Sequence, residues 1–332
     1  MISEKKLSLV TTMTPHRLGL AGGGSDIPYF FNILGGSFIN VTINKYVYVT
    51  VKKHSKIFKE NFRIMYSKTE IKKSRLKIEN EIVRTCLGII KIKEPILITT
   101  NSDLPAGGGL GSSSAFTVGL LNALYTLKGI KISKKKLAET ACFVEINLLK
   151  KNGGIQDQYA AAYGGINKFL ISKSGLVKIN SLKKNKLIKD LLDNIILYWT
   201  GNSRVSENIS KSYDKKDLSN IEYVKNKVLE LEKILNKKKI DLKVIGDFYN
   251  SIWNKKKNFS KKVSNKNISK IHEYFKRLGS KGGKLSGAGG GGFYMAILSK
   301  KLHKKLPKRI ENLSIKVNYC DHGSKIITKI YE

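Results

Sequence analysis

LPAGGGLGSSSA, residues 104–115, lies between PILITTNSD (95–103) and AFTVGLLNALYTLKG (115–129). The first flank is rich in β-branched residues and reads as a strand. The second is an apolar run with serines before it and Gly129 after it, which is the punctuation of a helix. Strand, glycine loop and helix in that order make a site for phosphate. Glycine amides approach an anion without side-chain clash, and the first amides of a helix lack internal partners and favour negative charge. The familiar phosphate loop, G-x-x-x-x-G-K-[ST], also carries a lysine. None follows here, so the missing charge must come from elsewhere. Gly107, Gly108, Gly109 and Gly111 are expected to wrap the anion. Ser112, Ser113 and Ser114 are expected to cap the helix, touch phosphate oxygens or hold Mg²⁺, with at least one of them capping.

Two carboxylates follow. Glu145 interrupts the apolar run ACFVEINLL within an expected helix over 133–151. A carboxylate in such a run is costly unless it is paired or metal-bound. Asp157 stands in GGIQDQ, just after a glycine break. One reading makes them a surface Glu and a helix-cap Asp. The other makes them a metal ligand and a catalytic base brought together by the turn, since Mg²⁺ takes one or two carboxylates together with hydroxyls and nucleotide phosphates.

Two more glycine stretches flank this centre, AGGGSD (21–26) and GAGGGG (287–292). SLVTTMT (8–14), SFINVTINKYVYVTVKK (37–53) and NFRIMYS (61–67) read as strands, and IQDQYAAAYGG as a short helix before another strand. Beyond about residue 175 the texture changes to lysine-rich helical stretches, roughly 205–238 and 241–277, and SIKVNYC (314–320) reads as a last strand. Strands and helices without a regular βαβ rhythm predict an α+β fold. The change of texture divides it into residues 1–180 and 181–332. There is no internal repeat.

Composition narrows the class. The 332 residues carry 62 Lys+Arg against 25 Asp+Glu, a formal net charge of +37. A nucleic-acid surface is one reading of such a charge. Arginine is scarce, however, and the lysines are spread along the whole chain, so solvated faces account for them and no nucleic-acid partner is expected. The field still draws in small anions. No apolar run approaches the roughly 18 residues of a membrane span, and the N-terminal stretch lacks the order of a secretory signal. A cytoplasmic protein without a membrane partner is expected. Cys86, Cys142 and Cys320 form no C-x-x-C pair and are expected to be reduced and mostly buried. The histidine spacing predicts no zinc site. The oligomeric state is not fixed by the sequence, and a homodimer is compatible with it.

TPHRLGLAGGGSD (14–26), LPAGGGLGSSSA (104–115) and KLSGAGGGGFYMAI (284–297), in this order, resemble the three motifs of the GHMP kinases, named for galactokinase, homoserine kinase, mevalonate kinase and phosphomevalonate kinase. The resemblance spans nearly the whole chain. It implies ATP-dependent phosphorylation of a small-molecule hydroxyl, an N-terminal domain of the ribosomal protein S5 domain 2 type and a ferredoxin-like C-terminal domain. By the same resemblance Ser113 and Glu145 match the Mg²⁺ ligands, Asp157 the catalytic aspartate, Arg17 the residue that polarises the acceptor hydroxyl and Asp26 a sugar-binding aspartate. RLGLAGGGSDIPYFFNILGGSFINVTINKYVYVTV, RIMYSKTE, GGIQDQYAAAYGG and YWTGNSR are similar to the D-glycero-D-manno-heptose 7-phosphate kinases of this family. Gly23 and Gly24 stand where a galactokinase has acidic and imidazole side chains, which suits a bulkier acceptor already carrying phosphate, and Ser25 is expected to bind the acceptor with them. The implied reaction is transfer to the anomeric hydroxyl, giving the 1,7-bisphosphate for surface glycan biosynthesis. Thr14 and His16 depart from the first motif's usual residues, which bears on substrate choice. Arg204 is the candidate for the acceptor's phosphate, with a surface-turn arginine as its other reading. Gly287 and Gly289 are expected to close over the acceptor, and Tyr66 is a candidate to flank adenine. Other sugar 1-kinases, on fucose, galactose or a uronic acid, and a non-catalytic ATP and sugar sensor are the alternatives.

Overall fold

The computed structural model describes residues 6–182, 186–203, 206–216 and 218–332. In chain order the strands are β1 (Leu7–Ala21), β2 (Gly36–Lys53), β3 (Phe62–Met65), β4 (Thr69–Lys72), β5 (Ile96–Ser102), β6 (Ile166–Ile171), β7 (Val177–Ser181), β8 (Ile195–Trp199), β9 (Gly282–Leu285), β10 (Phe293–Ile297), β11 (Ser314–Ile315) and β12 (Lys325–Tyr331). The principal helices are α1 (Pro28–Leu34), α2 (Glu81–Ile90), α3 (Ser112–Leu127), α4 (Lys134–Cys142), α5 (Gln156–Tyr163), α6 (Lys186–Asp193), α7 (Ser206–Ser210), α8 (Ser219–Leu235), α9 (Leu242–Lys256) and α10 (Lys266–Arg277). The fold is α+β, as expected.

The first sheet runs β12-β1-β2-β5-β3-β4, with β6 and β7 joined to the other half of β2. Long β2 makes this branching work: its residues 36–41 pair with β6, and its residues 47–53 pair with β5. The second sheet is antiparallel, β11-β8-β10-β9. Two apolar cores result. One lies between the first sheet and α2, α3 and α4, with Val10, Val49 and Val51 facing Leu121, Leu124 and Ala138. The other joins the second sheet and α8 to α10 with Leu18, Leu20, Ile39 and Val41 from the far ends of β1 and β2. A single pair of long strands thus feeds both cores and fixes the groove between them.

Several expected bounds shift for physical reasons. The first strand continues through TPHRLGLA to Ala21, because each residue from Leu9 to Gly19 finds a partner across β2. The expected helix 133–151 stops at Cys142 and widens into a π-helical turn, Phe143–Leu148, in which the Leu149 amide reaches back to the Val144 carbonyl at 3.0 Å. The 241–277 stretch is broken between Lys256 and Lys266, where Val263 is buried against the glycine loop of residues 287–292. SIKVNYC forms a strand only over Ser314–Ile315, and β12, unforeseen, returns from the second half of the chain to pair with β1.

Candidate active site

A cavity of about 330 Å³ opens between the two halves, walled by all three glycine motifs. Its floor is the start of α3. Gly111, with φ 82°, takes the N-cap position, and no side chain caps the helix. The expected serine cap is therefore corrected. All three hydroxyls turn to other partners, leaving the helix's first amides to the cavity. Ser113 Oγ donates to Glu145 Oε1 at 3.2 Å and Ser114 Oγ to Glu145 Oε2 at 2.7 Å. Ser112 Oγ lies 3.5 Å from Nδ1 of His16, whose pKa burial lowers to about 4, so the ring is neutral near pH 7.

Glu145 is buried, and the π turn swings it toward α3 rather than to solvent. Widened turns of this kind recur at functional sites because they re-aim one side chain. Besides the two serines, Thr117 Oγ1 donates to it at 2.8 Å, and Gln158 Nε2 also donates to it. Lys151 Nζ stands 4.0 Å from Glu145 Oε1 and 3.3 Å from Ser113 Oγ. This ammonium supplies, from a distant segment, a positive charge that the loop lacks. The sequence reading missed Lys151, Thr117 and Gln158. The lysine pair Lys150–Lys151, one residue before GGIQDQ, was the available signal for the first, and only a fold could reveal the other two.

Asp157 opens α5 and meets Arg17 of β1. Arg17 Nε and Nη2 both reach Asp157 Oδ1, at 2.6 and 2.5 Å, while Nη1 donates to the Gly109 carbonyl at 2.7 Å. One buried guanidinium thus ties the carboxylate to the phosphate loop. Asp26 is nearly inaccessible and accepts from the Gly24 amide at 2.9 Å and from Gln156 N and Nε2 at 3.2 Å each. Burial pushes its carboxyl above the ordinary carboxylate range, with nearby Asp157 adding to the rise. Gly154 makes this approach possible, since a Cβ there would fall 1.7 Å from Asp26 Oδ2.

The remaining expected residues divide. Gly23, Gly24, Gly107, Gly109, Gly111 and Gly287 line the cavity. Ser25 does not touch the acceptor space: its hydroxyl is spent on the Gly22 and Ser37 carbonyls at 2.8 and 2.9 Å, so it holds the turn. Gly108 faces the other half, its carbonyl accepting from Phe293 N at 2.9 Å. Gly292 packs so closely there that a Cβ would lie 2.5 Å from the Gly108 carbonyl oxygen. Gly289 packs on Val263 instead of the cavity. Gly287 is held in place by Lys256, whose ammonium donates to its carbonyl, and the Tyr213 hydroxyl donates to the next carbonyl, Ala288, at 2.7 Å. The Tyr66 hydroxyl donates to Glu70 at 2.8 Å, and Tyr66 stands outside the cavity wall. Arg204 lies outside the described residues.

Elsewhere, Cys320, Asp321 and His322 bring three ligand atoms within 4.8 Å, a cluster that histidine spacing does not reveal. Burial raises the Cys320 thiol pKa, which disfavours the thiolate a metal needs. Cys86 is buried and Cys142 partly so. No helix among the described residues is long and apolar enough to cross a membrane.

Comparison with known proteins agrees with this geometry. The model of the GHMP kinases N terminal domain matches residues 66–165, and that of the GHMP kinases C terminal domain matches residues 223–311. The D-glycero-alpha-D-manno-heptose 7-phosphate kinase of Campylobacter jejuni is 32% identical over 305 residues, covering 86% of this chain and 88% of that protein. The chain belongs to the GHMP kinase family. It is a sugar kinase of that family, a phosphotransferase. The crystal structure of a D-glycero-D-manno-heptose 1-phosphate kinase from Bacteroides thetaiotaomicron superposes with a TM-score of 0.78 at 26% identity, covering 97% of this chain and all of that one (100%). The galactokinase of Pyrococcus furiosus is 24% identical over 339 residues, 90% of this chain and 92% of that protein.

Proposed function

We propose that this GHMP kinase transfers the γ-phosphoryl group of ATP to the anomeric hydroxyl of D-glycero-D-manno-heptose 7-phosphate. The observation that carries the reading is the Arg17–Asp157 pair, bonded at 2.6 Å and set in one cavity against the start of α3, which no side chain caps. The loop 107–111 and the first amides of α3 hold the β- and γ-phosphates. Arg17 engages Asp157 through Oδ1, which leaves Oδ2 to take the acceptor hydroxyl's proton as its oxygen bonds to phosphorus and ADP departs. The guanidinium also offsets charge on the transferring group. Such transfer depends chiefly on alignment and charge stabilisation. Asp26, with Gly23 and Gly24 beside it, receives the sugar's other hydroxyls. Residues up to about 180 act as the nucleotide-binding domain, and residues 181–332 close the acceptor side.

Mg²⁺ fits the residues present. Ser113 Oγ and the Glu145 carboxylate are hard oxygen donors 3.2 Å apart, and the buried Gln158 Oε1 beside them has no hydrogen-bond partner among the described residues. The ion would be held by Ser113 and Glu145 and would neutralise phosphate charge.

The test is a panel of sugars and sugar phosphates with Mg·ATP, following ADP release and locating the new phosphate by ³¹P NMR. The expected product is the 1,7-bisphosphate. Preferred turnover of fucose, galactose or a uronic acid would move the assignment to another sugar 1-kinase, which the galactokinase relative makes the second reading. Binding without turnover would make the chain a sensor.

A further inference from the structure

Beside the main cavity lies a second hollow of about 410 Å³. The two share Ile27, Ile146, Lys151, Gly153, Ser210 and Tyr213, so they are continuous. Lys150, Lys151, Lys211 and Lys215 line the hollow, and among its described lining residues there is no carboxylate. Lys211 is matched by Glu207 at 2.8 Å, and Lys215 rests 4.9 Å above the Tyr29 ring. Among the described residues no carboxylate pairs with Lys150 or Lys215. Lys150 also adopts φ 54°, a left-handed conformation that a residue with a side chain rarely takes, and it does so in the wall of this hollow.

The position of the hollow decides what it adjoins. Ile27 to Phe30, which follow Asp26 directly, form one wall. The nucleotide side, Gly107 to Ser114, takes no part in it. Lys150, Lys211 and Lys215 therefore continue the acceptor side, while Lys151 stands between the two spaces, 3.3 Å from Ser113 Oγ. We propose that this hollow is the subsite for a phosphate monoester carried by the acceptor at the end remote from the reacting hydroxyl. The inference rests on the kinase reading of the main cavity and adds the residues that select a phosphorylated sugar. Lysine ammonium groups bind phosphate as point charges, so several around one hollow tolerate a flexible acceptor tail.

The test uses the full chain carrying Lys150→Gln and Lys215→Gln together; neither residue lies in the catalytic cavity. With saturating Mg·ATP, kcat/KM for D-glycero-D-manno-heptose 7-phosphate should fall by roughly 10- to 100-fold, mostly through KM. The unphosphorylated heptose and the KM for ATP should be unchanged, and Lys150→Arg with Lys215→Arg should restore the loss. An equal fall for both acceptors, or no fall for the phosphorylated one, overturns the subsite. Calorimetry with heptose 7-phosphate alone separates the two readings. Binding that depends on the lysines in a protein without turnover keeps the subsite and refutes the kinase reading. Absent binding, or equal binding by wild type and variant, refutes the subsite.

Discussion

Glu145 offers a perturbation whose consequences divide cleanly between stability and chemistry. Its carboxylate is 4% exposed and accepts from Ser113, Ser114, Thr117 and Gln158. Glu145→Ala leaves these donors facing a void. Thr117 keeps the Ser113 carbonyl at 3.0 Å, and Ser113 lies close enough to solvent to find water. Ser114 and Gln158 are buried and lose an acceptor each, at roughly 1–3 kcal/mol apiece. Removing a buried charge returns part of that loss, so the net destabilisation should be about 2–4 kcal/mol, within the stability of an ordinary domain. Glu145→Gln keeps the shape and one acceptor oxygen, and should lose about 1–2 kcal/mol. If the carboxylate is a metal ligand, both variants should lose about 10²-fold or more in kcat and need more Mg²⁺ for half-maximal rate. Urea unfolding and Mg²⁺ titrations of ADP release read the two effects. A Gln variant with wild-type rate and Mg²⁺ midpoint would refute the metal assignment. An Ala variant as stable as wild type would refute the account of the polar cluster.

Gly154→Ala drives a methyl group into Asp26 and should raise the acceptor KM by about tenfold or more while sparing the nucleotide KM; unchanged acceptor KM would remove Asp26 from the sugar site. Lys151→Met should raise the KM for Mg·ATP by about tenfold if its ammonium faces the phosphates, and an unchanged nucleotide KM contradicts that role. Lys284 is buried, its Nζ donating to the Gly19 carbonyl at 2.6 Å, and burial lowers its pKa from 10.5 to about 7, with Arg17 adding to the fall. Between those values the unfolded chain holds a proton that the folded one lacks, so wild-type stability gains from this group as pH rises from about 7. Below pH 7 the full penalty of a buried charge is present. Relative to Lys284→Met, the wild type should therefore become more stable between pH 7 and 10 in urea unfolding, and a pH-independent difference would contradict the buried neutral amine.

The three glycine motifs were legible because three such runs in one chain, two between a strand and a helix and one between β9 and β10, are more than turns alone require. They placed the loop, the two carboxylates and Arg17 in one cavity although Arg17 and Asp157 are 140 residues apart in sequence. What the sequence hid falls into two kinds. Thr117 and Gln158 become partners of Glu145 only through the π turn and the α3–α5 packing, neither of which has a periodicity to read. Ser112 to Ser114 carried a cap signal, but Gly111 takes the N-cap backbone position, so the serines fall inside the first turn, where Ser113 and Ser114 donate to Glu145 instead of accepting from the helix amides. Ser25 and Gly108 show the same limit, since a motif position tells which residue type is needed and not whether it faces ligand or scaffold. Strand β12 was missed because KIITKIY is short, lysine-bearing and largely exposed, as befits an edge strand.

Rapid-quench single-turnover phosphoryl transfer by Asp157→Asn, with Mg·ATP prebound and heptose 7-phosphate added, tests the central claim most directly. A base held by Arg17 against the acceptor hydroxyl predicts a fall of roughly 10²–10⁴-fold in the chemical step, with ATP affinity close to wild type. Transfer at the wild-type rate would contradict it.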